Sequence, residues 1–117
     1  MRAVDQTTYG SADGNCFSAC VASILEIPLE EVPRFMGVSW PFLRWLADRG
    51  LSASRYKRVD YVPLGYSIAT GSSMRFAGKM HACVALDGIV VHDPHPSREG
   101  LPFGVVDYIV IHEFRGL

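Results

Sequence analysis

The hydrophobic pattern of this chain changes period near residue 51, and that change limits the folds open to it. Before it, apolar residues recur at helical spacing: Phe17, Val21, Ile24 and Leu25 follow Gly14 and Asn15 at i, i+4, i+7 and i+8, and Pro28 closes the stripe. LEEVPRFM reads as a short second helix or turn, since Pro33 would cut anything longer. SWPFLRWLADRG then offers Ser39 as an N-cap, Pro41 in the first turn and Gly50 as a terminator. After residue 51 the helix formers give way to serine, tyrosine, valine and glycine. Strands are expected near 53–59 and 64–69, a loop over GSSMRFAGKM at 71–80, and a hairpin in HACVAL, DG, IVVHD. VVDYIVIHEF supplies a last, mostly buried strand. The expected fold is α+β, with N-terminal helices packed on a C-terminal antiparallel sheet.

The 117 residues fit one domain, spanning 1–117, that can bury a core without disulfide staples. No repeat or linker interrupts them. No uncharged apolar run is long enough for a membrane span. MRAVDQTTYG lacks the apolar centre of a secretory signal, so the expected location is the cytoplasm. Three cysteines, Cys16, Cys20 and Cys83, match neither a zinc knuckle nor a disulfide framework and are read as free thiols. A net charge of −1 gives no field for phosphate backbones or anionic lipid. The basic SRYKRVD at 54–60 is read as a solvated strand face, with no nucleic-acid or membrane partner expected.

Cys16 is expected at the first turn of the first helix, where unpaired N–H groups and the helix dipole favour a thiolate, although its spacing alone suits a small buried core residue equally well. Cys20, one turn on, should fill core. An activated thiol needs a base and a group to orient it. His81 opens the first hairpin strand and Asp93 closes the second. Whether they meet depends on register. A two-residue turn of Asp87 and Gly88 sets His81 opposite Pro94, with Asp93 on the other face. A three-residue loop of Leu86, Asp87 and Gly88 sets His81 opposite Asp93. The three-residue loop is the expectation, with His81, Cys83, Ala85, Ile89, Val91 and Asp93 on one face.

A cysteine at the start of an N-terminal helix, a histidine opening a strand and an aspartate before a proline on the next strand resemble the papain-like cysteine peptidase superfamily. HACVALDGIVVHDP is most similar to the bacteriocin-leader-processing (double-glycine) peptidase domains. Separately, DGNCF at 13–17 resembles the nucleophile segment of ovarian-tumour-type deubiquitinases, in which the aspartate, here Asp13, helps shape the oxyanion hole. The superfamily resemblance implies a papain-like fold and a thiol hydrolase with Cys16 as nucleophile, His81 as general base and then acid, and Asp93 holding the imidazole tautomer. It also implies an oxyanion-hole glutamine shortly before the cysteine. Gln6 is the only N-terminal glutamine, and TTYGSADG would have to bulge for its amide to return. Asn15 or a backbone amide near Asp13 could substitute.

The expected substrate is a peptide or protein carbonyl, and no cofactor is expected. The alternative is a silent papain-like domain that binds a protein or peptide. His92 and His95 flank Asp93 and with His81 could suggest zinc, but no metal is expected because His92 should face away. His112 is read as structural or surface. Trp40, Phe42, Leu43 and Trp45 are read as core, and the 71–80 loop as either a cleft wall or disorder. Oligomeric state is not legible.

Overall fold

A computed structural model describes residues 1–10 and 14–114. Helix α1 spans Cys16–Leu25, a 3-10 turn Leu29–Glu31, and helix α2 Trp40–Ala47. Five strands follow: β1 Leu51–Lys57, β2 Tyr66–Ser72, β3 Met80–Leu86, β4 Ile89–His92 and β5 Asp107–Glu113. They form one antiparallel sheet in the order β1-β5-β2-β3-β4, so the last strand inserts between the first two. The α+β expectation stands, and no helix among the described residues is long and apolar enough to cross a membrane.

Period-two alternation sorts the strand residues between two packed faces. Ile68, Ala82, Val84 and Ile109 meet Phe17, Cys20, Val21, Phe42 and Leu46 of the helices. Ala69, Ala85 and Tyr108 point the other way and pack under Val90, Leu101 and Val105. Helix α1 lies against β3 and β2, and α2 against β1. Ser39 caps α2, its hydroxyl accepting the Phe42 N–H. Helix α1 stops earlier than Pro28 requires, at Glu26 in the left-handed region.

Several sequence expectations shift. The first two strands run Leu51–Lys57 and Tyr66–Ser72, each two to three residues from its expected bounds. Trp40 is exposed rather than core, because it is the first residue of α2 and precedes the turn that packs; Phe42 and Leu46 supply the buried stripe. The last strand is buried only at Tyr108 and Ile109, since β1 beside it forms the sheet edge.

The hairpin differs most. Leu86 pairs with Ile89 and Ala85 with Val90, so the turn is the two-residue one, with Asp87 and Gly88 both at positive φ as a type I′ turn requires. The Asp87 carboxylate accepts the Gly65 N–H at 2.7 Å and fixes that turn to the start of β2. By simple counting this register separates His81 from Asp93. A β-bulge restores them: Val84 pairs with His92 rather than with Val91, and the extra residue moves all that follows to the opposite face. Continued, the shifted register sets Asp93 beside Cys83 on the His81 face. The expected shared face is therefore corrected at Ile89 and Val91, which are exposed, while Val90 packs with Ala85.

Candidate active site

Strand β4 pairs only with residues 84–86, so the start of β3 has no strand beside it on that side. The tip of α1 comes to this stretch. The Cys16 thiol sits beside the His81 side chain and the Ala82 and Phe17 backbones, each of which favours its ionised form. The His81 Nε2 lies 2.7 Å from Asp93 Oδ1, with both side chains buried. With Nε2 committed to the carboxylate, Nδ1 is the ring nitrogen left for a thiol. Asp93 is held in turn: its Oδ1 also accepts the His95 N–H at 2.9 Å and its Oδ2 the Gly100 N–H at 2.8 Å.

The electrostatics separate the three thiols. Burial opposes ionisation of Cys16, but the hydrogen bond and charge of His81 and the two backbone donors outweigh it and lower its pKa. Burial drives Cys20 far the other way. Cys83 lies near the same imidazole, which favours its ionised form, yet burial and the nearby Asp93 charge push its pKa up. Burial also works against charge on His81, and is overcome by its bonds to Asp93, Cys16 and Cys83, which raise it to about 11. Asp93 resists its own desolvation through His81 and the two backbone donors, and falls to about 2. The site favours thiolate, imidazolium and carboxylate in a row.

Gln6 returns to this site. Its side chain is buried and lines a cavity of about 280 Å³ together with Cys16 and His81. Three contacts bring it there. Its N–H donates to Pro94 O at 3.0 Å, and Tyr9 Oη donates to its carbonyl at 3.2 Å. Its Nε2 donates to Thr8 O at 3.0 Å, while Oε1 is buried without a hydrogen-bond partner. The segment is tied to the α1 tip by Asn15, whose Oδ1 accepts the N–H groups of Thr7 and Thr8 and whose Nδ2 donates to Thr7 Oγ1. Asn15 is thus corrected as an oxyanion candidate: its side chain is occupied by the 7–8 backbone and lines a different cavity, with Thr7 and Ser18. Asp13 lies outside the described residues.

A second tie joins Gln6's neighbour to the aspartate loop. Arg98 donates to both oxygens of Asp5, at 2.6 and 2.8 Å, and to the Asp93 carbonyl. His92 pairs with Val4 O at 3.0 Å, away from the Cys16–His81–Asp93 row. The histidine trio considered for zinc is therefore not assembled. The metal-capable group among the described residues is His81, Cys83 and Asp93, whose ligand atoms lie within 4.8 Å of one another. Two of these are already joined by the short imidazole–carboxylate bond. His112 is exposed and bonds to Ser54 Oγ on the far strand pair.

Sequence reasoning missed the part played by His95. It lines the cavity, stacks edge-on to Tyr9 at 5.3 Å and lies 6.4 Å from the His81 ring. Its Nδ1 accepts the Ser97 N–H, and burial together with the Arg75 charge lowers its pKa, so it presents a neutral wall. Its place one residue past the D-P pair was the available signal. The 73–79 segment is a cleft wall, closed by Ser73 N–H to Lys79 O at 2.8 Å and by the Ser73 hydroxyl accepting from Arg75 and Phe76.

Comparison of the chain with protein-family models, curated proteins and solved structures finds no match.

Proposed function

We propose that this protein is a cysteine-dependent hydrolase of peptidase or amidase type on a papain-like fold. The carrying observation is the row Cys16, His81, Asp93, with a 2.7 Å imidazole–carboxylate bond behind a thiol whose ionisation His81 favours. The Cys16 thiolate attacks a peptide carbonyl that enters through the cavity. The C–N bond breaks as imidazolium His81 protonates the departing amine, leaving a thioester. Water then attacks that thioester; His81 takes its proton, the acid product leaves and the thiolate is restored. Asp93 keeps the ring oriented and compensates its charge throughout.

The oxyanion is met by the Cys16 backbone N–H at the helix tip and by the Gln6 amide, which gives one hydrogen to Thr8 and has a second for the substrate. We place the protein in the cytoplasm, where a reducing environment keeps its three free cysteines as thiols. A peptide or protein is the partner this chemistry asks for, with no nucleic acid required.

The test is the rate of Cys16 alkylation by iodoacetamide against pH, read by peptide mapping in wild type and His81→Ala, alongside peptide-library hydrolysis by wild type and Cys16→Ser. The expected result is a reactive thiolate well below the ordinary thiol range near pH 8.5, lost with His81, and cleavage lost with Cys16. An ordinary titration unchanged by His81→Ala refutes the triad. An activated thiol without any cleavage refutes the hydrolase and leaves a peptide-binding domain.

A further inference from the structure

The walls of the cleft differ in chemistry. Phe17, Phe35, Met36, Phe76 and Met80 make most of its surface apolar, and three of these, Met36, Phe76 and Met80, are exposed at its mouth. Apart from the Cys16–His81 pair itself, the charged side chains lining it among the described residues are Arg75 and Lys79, with no aspartate or glutamate among them. Arg75 is partly compensated, reaching Glu99 at 3.3 Å. Lys79 makes no ion pair among the described residues and is exposed beside Met80, one residue before His81. The Ser73–Lys79 backbone closure fixes this wall relative to β3.

We propose that the cleft selects a peptide substrate that is both apolar and anionic, with a hydrophobic side chain seated among the phenylalanine and methionine walls and a carboxylate met by Lys79 and, secondarily, Arg75. The proposal rests on the thiol-hydrolase reading of the same site and adds its substrate class. An exposed apolar wall is wetted at a cost that a hydrophobic side chain relieves. A cation with no counter-charge among the described residues attracts a carboxylate, by the modest amount that an exposed charge in water allows. A substrate with a basic group in that place would meet two like charges, so the same residues discriminate as well as attract.

The test labels Cys16 with matched pairs: N-iodoacetyl-phenylalanine, which keeps its carboxylate, against N-iodoacetyl-phenylalaninamide, and the corresponding glycine pair. All four alkylate the same sulfur, so the thiolate fraction cancels in every ratio. The expected result is that the phenylalanine reagents label about tenfold faster than the glycine ones, for a benzyl group partly buried. The carboxylate form should exceed the amide by about three- to tenfold per effective cation at a separation of ~7 Å. Lys79→Ala should reduce the carboxylate preference, Lys79→Glu should invert it, and added salt should erode it. Arg55→Ala, which removes an equal charge from β1 away from the cleft, should leave the ratio where it was. A carboxylate preference indifferent to Lys79→Ala, Lys79→Glu and Arg75→Ala overturns the anionic half, and equal labelling by phenylalanine and glycine reagents overturns the apolar half. Failure of the hydrolase reading shows separately, as absent cleavage or an ordinary thiol titration, and does not move these ratios.

Discussion

Replacing Asp93 with asparagine removes one charge and keeps the shape, which makes its cost calculable. The carboxylate accepts from the His81 ring, from His95 N–H and from Gly100 N–H. An asparagine has one acceptor oxygen. If that oxygen serves His81 and His95, the amide NH₂ faces the Gly100 donor, a clash of two donors worth about 1–3 kcal/mol. A carboxyl pKa lowered from 3.8 to about 2 corresponds to about 2 kcal/mol of preferential stabilisation of the charged form. These contributions overlap, so Asp93→Asn should destabilise the fold by about 3 kcal/mol near pH 6. The sign follows from linkage. The depressed carboxyl stabilises the fold above pH 3.8 and loses that contribution as pH falls through about 2. The raised imidazole contributes fully below 6.5 and loses it as pH rises through about 11. Both describe the same pair, so the gap between wild type and variant should be widest between about pH 4 and 6.5 and shrink on either side. Urea unfolding of both proteins across that range measures it. A gap under about 0.5 kcal/mol at pH 6, or one independent of pH, would refute the buried ion-pair account.

Gln6→Ala should lower kcat for amide hydrolysis by about a hundredfold, the usual cost of one oxyanion donor, while iodoacetamide alkylation, which forms no oxyanion, should fall far less; equal losses in both would mean that Gln6 only shapes the site. Gly71 pairs with His81 across the sheet, and a Cβ there would run into the Gly104 carbonyl oxygen. Gly71→Ala should therefore cost about 1–3 kcal/mol by forcing that backbone apart, seen as a drop of several degrees in Tm; an unchanged Tm would show that the loop yields freely.

Within this chain, the division into helical and strand halves, the Ser39 cap and the cysteine at the α1 tip are local properties, and local pattern was enough to read them. The candidate row of Cys16, His81 and Asp93 was also legible, because the residue types and their positions at element ends are sequence facts. How His81 and Asp93 meet was not. A bulge at Val91 adds one residue without disturbing the apolar period that precedes it, and its place is decided by packing on both faces and by the backbone donors of His95 and Gly100 waiting for the carboxylate. The return of Gln6 was likewise hidden, since it depends on Asn15, Pro94 and the Asp5–Arg98 pair, contacts made between segments far apart in the chain. The sequence by itself determined which groups could do chemistry. Tertiary structure decided which of them share one cavity, because register, loop return and wall charge are set by long-range contacts that no local spacing encodes.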